Sequence, residues 1–189
     1  MRIPRIEVDE ILRIVRVEAV RLVPGTQCVV CGSYRRGNLT CGDVDILLAP
    51  PDSFEDNYIV NLMPLLDRLE HIGFLTDHLA LPTATPSSDE DVDVDRESYM
   101  GVCRLPAHLY EGDDVASDAA LSAGSMAAKA LAVATGESTG EPVMVGKLMG
   151  PRYHRRIDIK SYPRKMFPFA LLYFTGSDYF NRYRILPFK

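Results

Sequence analysis

The sequence predicts an α/β (α+β) domain in which helices pack on a mixed β-sheet. Apolar residues recur near a 3.6-residue period in some segments and alternate in others, and the two kinds of segment follow one another along the chain. The length of 189 residues, 47% of them hydrophobic, suffices to bury one core. Without a run of about 18 apolar residues or a signal-peptide core, we expect a soluble intracellular protein and no membrane partner.

The first predicted elements are a helix and a strand. After Pro4, apolar residues recur at helical spacing until Pro24-Gly25 ends the pattern. The residues that mark this helical face are Ile11, Ile14, Val15 and Leu22. Residues 27–30 predict a short β-branched strand, and the Gly-rich turn after it has room for a short helix.

The middle of the chain alternates between strands and a helix. Residues 43–49, DVDILLA, predict a second strand. A second helix, ending near Gly73, is marked by Ile59, Leu62, Met63, Leu66 and Leu69. Residues 74–76 and 100–105 are further strand candidates.

Two atypical segments precede the last strand and helix. The acidic tract 87–95 is either a metal-binding loop or, as we favour, a solvated hairpin tip. Residues 107–151 form a long segment of low complexity that predicts an insertion. In residues 154–160, isoleucines alternate with charged residues, which predicts a two-faced strand, and residues 166–173 predict a helix.

Charge is unevenly distributed along the chain. The net charge is −5, but residues 85–150 hold 12 acidic and 4 basic residues, against 14 acidic and 17 basic in the remainder. The body outside the acidic region is therefore mildly basic, which permits nucleic-acid binding without establishing it.

Cys28 and Cys31 have the spacing of half a zinc site. Residues three apart on a strand point to opposite faces and cannot both bind one ion, and the sequence lacks the usual second half of the ligand pattern. We therefore expect ordinary buried thiols in a reducing compartment.

Asp43 and Asp45 form a D-x-D pair at the start of a predicted strand. Residues two apart share one face, about 6.6 Å apart along the strand, while Val44 and Ile46 face the core. Two carboxylates on one face repel unless cations lie between them, so the pair indicates Mg²⁺ or Mn²⁺. Asp158, on the outer face of a later strand, is a third candidate, and three carboxylates suffice for two ions. The simpler interpretation is that Asp43 caps a turn and Asp45 is only exposed.

The loop before the D-x-D pair has the residues of a phosphate site. Gly32 and Ser33 can present backbone N–H groups and a hydroxyl, and the Arg36 guanidinium matches phosphate oxygens. Gly42 permits close approach of the backbone to a ligand. Phosphate donors beside carboxylates are typical of a nucleoside triphosphate site.

The stretch GSYRRGNLTCGDVDILL resembles the nucleotidyltransferase motif of family X DNA polymerases. The likeness extends in the same order through RIPR (2–5), FLTD (74–77), YMGVCRLP (99–106), HRRIDI (154–159) and ALLYFTGSDYFNR (170–182). The resemblance therefore implies a nucleotidyltransferase palm. In that palm Asp43, Asp45 and Asp158 hold two Mg²⁺ ions, with Mn²⁺ as an alternative, one activating the primer 3′-hydroxyl and the other holding the triphosphate.

The same resemblance implies a set of nucleotide-binding residues: Arg2, Gly32, Ser33, Arg36, Gly42, Tyr173, Phe174, Gly176 and Asn181. Of these, the residues from 173 to 176 match a segment that disfavours a ribose 2′-hydroxyl, and Asn181 matches a contact to the base. The simpler interpretations are that Arg2 is frayed at the terminus and that the aromatic pair belongs to the core.

Two basic residues are implied in DNA binding. Arg156 matches a residue that orients Asp158 and contacts DNA, and Lys160 follows on the same strand. The simpler interpretation of Arg155 and Lys160 is that both are solvated strand residues.

The resemblance implies a palm domain at residues 1–170, interrupted by the insertion at about 107–151. Residues 171–189 then match the start of a truncated nucleotide-binding thumb/fingers subdomain. Because the likeness begins at RIPR and ends just past Asn181, we expect neither the family's lyase domain, with its lyase activity, nor its helix-hairpin-helix clamps. Ile185 stands where family members use an Arg to follow the templating base.

The function implied is a DNA-directed DNA polymerase that adds dNTPs to a primer in repair gap filling, as a nuclear monomer on primer-template or gapped DNA. The alternatives are a truncated, catalytically impaired fragment, or template-independent addition like that of terminal transferases. D-x-D glycosyltransferases also pair carboxylates on a metal nucleotide, but they do not account for RRG before the pair or YFTGS after it.

Overall fold

The computed structural model describes residues 2–83, 97–110, 148 and 150–185, with side chains as far as residue 183. The acidic tract 87–95 and most of the predicted insertion lie outside the described residues, and so does the side chain of Ile185. No described helix combines the length and the apolar composition needed to cross a membrane.

The described helices include one long and two medium-length α-helices, with short helical turns between them. The α-helices are α1 (Arg5–Leu22), α2 (Gly32–Arg35), α3 (Met63–His71), α4 (Phe167–Thr175) and α5 (Asp178–Phe180). Single turns of 3₁₀ helix span Ala107–Leu109 and Arg164–Met166, and a π-helical turn spans Asn181–Ile185.

The strands form one mixed five-stranded sheet and one two-stranded ribbon. They are β1 (Ile3–Pro4), β2 (Gln27–Val30), β3 (Thr40–Cys41), β4 (Val44–Ala49), β5 (Leu75–Ala80), β6 (Ser98–Cys103) and β7 (Arg155–Ser161). The sheet order is β2-β4-β7-β6-β5, and β1 pairs with β3. Among the described strand pairs of this sheet, only β4–β7 is parallel. The predicted fold class is confirmed.

The core lies between one face of the sheet and the helices α1 and α3. Ile46, Ile157 and Ile159 are buried on this face as the alternation predicts, and Ile11 of α1 packs in the same core. Helix α4 packs instead around Leu47, on the opposite face of β4. Because Asp45 and Leu47 are two residues apart on this strand, α4 lies along the face that carries the acidic residues.

The start of one helix and the burial of one helical residue differ from the sequence prediction. Helix α3 begins at Met63 rather than near Ile59, because Pro64 lies in its first turn and the Asn61 side chain accepts a hydrogen bond from the Met63 N–H. Leu22, expected on the buried face of α1, is exposed in its last turn.

Candidate active site

The parallel pairing of β4 with β7 brings the three predicted carboxylates together. Asp45 and Asp158 are direct register partners, and Asp43 lies just before β4. One oxygen from each of Asp43, Asp45 and Asp158 lies within 4.8 Å of the others. A cluster of three carboxylates is the type of ligand set that Mg²⁺ and Mn²⁺ bind. The structure therefore places these residues as a group that could bind a metal ion.

The protonation of this cluster reflects its burial. Burial and the nearby charge of Asp158 raise the pKa of Asp45 to about 6, although Arg36 and Lys160 act in the opposite direction. Burial also raises the pKa of Asp158, against Arg156 and Lys160. The Oδ1 atom of Asp158 is buried and has no hydrogen-bond partner among the described residues. A cation would relieve the repulsion and satisfy this oxygen, so the residues fit a divalent metal.

Asp45→Asn is expected to stabilise the metal-free chain at pH 7.5 by about 3 kcal/mol. The pKa of Asp45 is raised in the folded chain from 3.8 to about 6. The folded chain therefore binds a proton at Asp45 more tightly than the unfolded chain does, and its stability falls as the pH rises through this interval. The gain should be complete above pH 6 and should vanish near pH 4. Urea unfolding in a chelator across this pH range measures it.

Asp43→Asn is the matched control, because it also removes a carboxylate of the cluster but takes away the ion-pair partner of Arg156. We expect no gain in stability from it at any pH. Equal stabilisation by the two variants, or a gain from Asp45→Asn that persists at pH 4, would contradict the assignment to Asp45.

The two basic residues predicted on β7 lie among the carboxylates. The guanidinium of Arg156 donates a hydrogen bond to Asp43 and lies 3.7 Å from Asp158 Oδ2. Lys160 lines a small cavity of about 50 Å³ with Asp45 and Asp158, and its Nζ atom lies 4.9 Å from the centre of the Phe174 ring. The positively charged side chains of Arg156 and Lys160 therefore partly neutralise the acidic cluster.

The predicted phosphate loop lies against Asp45 at Gly32. Gly32 has φ +51°, and a Cβ atom there would lie 2.0 Å from Asp45 Oδ2, so only glycine fits. Ser33 follows in α2, and its carbonyl accepts a hydrogen bond from the Asn38 N–H. The corresponding position at Gly42 opens onto free space, with no described atom within 4 Å.

The two arginines predicted to bind the triphosphate have partners within the chain. Arg2 donates hydrogen bonds to the side chain and the carbonyl of Thr40, both at 2.8 Å, so it is held on β3 rather than frayed. Arg36 donates from one nitrogen to the carbonyls of Thr175 and Gly176, at 2.8 and 3.3 Å. The loop and the end of α4 are therefore directly connected.

The predicted sugar-facing residues lie at the end of α4. Phe174 reaches the cavity beside Asp45, whereas Tyr173 is exposed on the helix surface. Asn181 donates its side-chain N–H to the Tyr173 carbonyl at 2.9 Å. A Cβ atom at Gly176 would lie 2.2 Å from Asn181 Oδ1, so the glycine makes room for this side chain.

The simpler interpretation of Arg155, as a solvated strand residue, is wrong. Its side chain is buried and donates two hydrogen bonds to the Glu7 carboxylate, at 2.7 and 2.9 Å. The signal that could have revealed it is the alternation of β7, because Arg155 shares the inner face with Ile157 and Ile159.

The cysteines are buried and reduced. Cys28 and Cys31 are free thiols, and burial raises the pKa of each to about 12. Cys31 also lines the cavity beside Asp45, whose charge further raises the pKa of this thiol. At neutral pH both groups are therefore uncharged thiols, as expected for core residues.

Comparison with known proteins places this geometry in a family context. A family model described as the DNA polymerase beta palm matches residues 2–164. DNA polymerase lambda of Rattus norvegicus is 38% identical over 181 residues, which cover 96% of this chain and 22% of that protein. DNA polymerase lambda of Arabidopsis thaliana is 30% identical over 181 residues, which cover 96% of this chain and 25% of that protein. The chain thus spans a quarter or less of the length of these relatives.

Proposed function

The chain belongs to the family X DNA polymerases, which share the polymerase beta palm, and from this premise we propose that it is a DNA-directed DNA polymerase that adds dNTPs to a primer 3′-hydroxyl. The observation that carries the proposal is the group of Asp43, Asp45 and Asp158 within 4.8 Å, beside a loop of phosphate-binding residues. The names of the relatives support the same activity. Gap filling in DNA repair in the nucleus is the setting we propose, with the chain acting as a monomer.

The three aspartates would hold two divalent cations, which we propose are Mg²⁺. Bound there, such ions would lower the pKa of a primer hydroxyl and neutralise charge on the triphosphate. The buried Oδ1 of Asp158, which lacks a hydrogen-bond partner among the described residues, could take a cation as its partner, and we assign this residue to the primer side. Asp45 Oδ2 occupies the space that a Cβ atom at position 32 would need, so Gly32 permits this orientation of the carboxylate.

The nucleotide would lie between α2 and the end of α4. Ser33 and Arg36 would contact the phosphates, and the open space at Gly42 admits a ligand close to the backbone. We assign to Arg2 a further phosphate contact, because its hydrogen bonds to Thr40 of β3 hold its side chain near this loop.

The residues at the end of α4 would contact the sugar and the base. Tyr173, Phe174 and Gly176 would face the sugar, and Asn181 would reach the base. Arg156, which is half exposed, and Lys160 would contact DNA phosphates. We further propose that the palm extends to residue 170 and that residues 171–189 begin the next subdomain.

Primer extension on a one-nucleotide gap tests the proposed activity. With Mg²⁺ and the complementary dNTP we expect extension by one nucleotide, and Asp158→Ala should reduce its rate by at least about 10³-fold. Urea unfolding of both proteins checks that the substitution leaves the chain folded.

A parallel binding measurement separates the proposal from its alternatives. A catalytically impaired fragment would show two results together. The wild-type chain would bind Mg²⁺–dNTP, with Asp45→Ala abolishing this binding, but it would extend the primer no more than Asp158→Ala does. Extension of a single-stranded primer would favour template-independent addition. Absence of Mg²⁺–dNTP binding in the wild-type chain would overturn the working site altogether.

A further inference from the structure

Arg36 joins two parts of the candidate site that are 139 residues apart in sequence. Its Nη1 atom donates hydrogen bonds to the carbonyls of Thr175 and Gly176, at the C-terminal end of α4. These carbonyls have no partners within the helix ladder, and the end of a helix carries partial negative charge. Arg36 therefore stabilises the conformation in which α4 ends and the chain turns towards Asn181.

The geometry of the guanidinium leaves part of it available for a ligand. A guanidinium carries five N–H donors in a rigid planar fork. Among the described residues, both side-chain hydrogen bonds of Arg36 come from Nη1. Arg36 is exposed, so its donors on Nε and Nη2 can bind phosphate oxygens. At the same time, Nη1 can keep its hydrogen bonds to the carbonyls at the end of α4.

We propose that Arg36 is a positioning residue for sugar selectivity, and that it sets the backbone of residues 173–176 relative to the triphosphate of a bound nucleotide. This inference rests on the proposed function. Arg36 would bind the phosphates of a nucleotide and, at the same time, the carbonyls of Thr175 and Gly176. The sugar of that nucleotide would therefore lie at a fixed distance from this backbone. A ribose 2′-hydroxyl then meets a backbone that cannot retreat, whereas a deoxyribose fits.

A lysine at position 36 distinguishes positioning from simple attraction of phosphate. The lysine ammonium is a single point charge, so it can attract the triphosphate. It lacks the planar guanidinium geometry needed to bind the phosphates and the carbonyls at the end of α4 at the same time. Arg35→Lys is the matched control, because Arg35 is the adjacent arginine of α2 and lines the groove beside Arg5 and Arg16 instead.

The first measurement needs no nucleotide. Amide hydrogen exchange of the segment 171–182 should become faster in Arg36→Lys and stay unchanged in Arg35→Lys. Unfolding curves of the variants establish that any change is local. Unchanged exchange in Arg36→Lys would overturn the connection between the loop and α4.

The second measurement compares dATP, ATP and inorganic tripolyphosphate, each with Mg²⁺. In Arg36→Lys we expect the ratio of the ATP and dATP dissociation constants to fall about tenfold, while Arg35→Lys keeps the wild-type ratio. Equal losses of affinity for all three ligands would show that Arg36 only contacts phosphate. That result would overturn this inference but leave the proposed function intact. Failure of the wild-type chain to bind either nucleotide would overturn the proposed function as well, and the exchange result would still report on the contact with α4.

Discussion

Arg155→Met is expected to lower the free energy of unfolding by about 3–5 kcal/mol, because removing one member of a buried ion pair leaves the other charge uncompensated. The guanidinium of Arg155 and the carboxylate of Glu7 share two hydrogen bonds, and both side chains are less than a tenth exposed. After the substitution the Glu7 carboxylate must either stay charged in the core or take up a proton. Urea unfolding followed by circular dichroism at pH 7.5 measures the loss.

Two further variants show whether the loss comes from the unpaired charge. Adding Glu7→Leu to Arg155→Met should recover most of the stability, since well-packed apolar residues often replace a buried pair at little cost. Arg164→Met removes a partner from the more exposed pair with Asp52 and should cost no more than about 1 kcal/mol. A double variant as unstable as Arg155→Met, or equal losses in Arg155→Met and Arg164→Met, would contradict this explanation.

The alternation of β7 predicts the burial of its charged first residue as well as that of its isoleucines. It placed Asp158 outward and Ile157 and Ile159 inward, and the structure confirms both sides of the strand. The same rule places Arg155 inward. Its charge favoured an exposed position because a buried arginine needs a partner, and Glu7 lies 148 residues away in sequence. No local pattern can pair residues at that separation.

The α1 sequence nevertheless contains a sign of this partner. Glu7 and Glu18 occur on the face marked by Ile11 and Ile14, and both are buried. A carboxylate within an apolar stripe must be paired. The structure supplies Arg155 for Glu7, and both Arg68 and Arg21 for Glu18. Acidic residues on a helix's apolar face therefore predict a basic partner, either on an opposing element or, like Arg21, one turn along the same helix, although they do not identify it.

The candidate site was predictable where side chains define it. The D-x-D spacing and the outward position of Asp158 required only strand geometry, and their parallel pairing then followed from the fold. The contact between Arg36 and α4 could not be predicted in this way. It involves the carbonyls of Thr175 and Gly176, and backbone acceptors leave no trace in the identity of a residue. The tertiary packing of α4 decides where those carbonyls lie.

Gly32→Ala is expected to cost about 2–5 kcal/mol of unfolding free energy and to weaken Mn²⁺ binding about 10–100-fold. Gly32 has φ +51°, and its missing Cβ leaves the space that Asp45 Oδ2 occupies, 2.0 Å from where the carbon would lie. The added methyl must therefore displace the Asp45 carboxylate or the start of α2. Either movement separates Asp45 from Asp158, with which it is paired across β4 and β7. Urea unfolding and Mn²⁺ titration measure the two effects.

Gly37→Ala separates backbone strain from the displacement of Asp45. Gly37 also has a positive φ of +85°, but no described atom lies within 4 Å of its Cβ position. The control should therefore lose only the conformational cost of about 1–2 kcal/mol and should bind Mn²⁺ like the wild-type chain. If Gly32→Ala retained wild-type Mn²⁺ affinity, Asp45 would not depend on this glycine for its position. If both variants lost metal binding equally, the loop conformation rather than the contact with Asp45 would control the site.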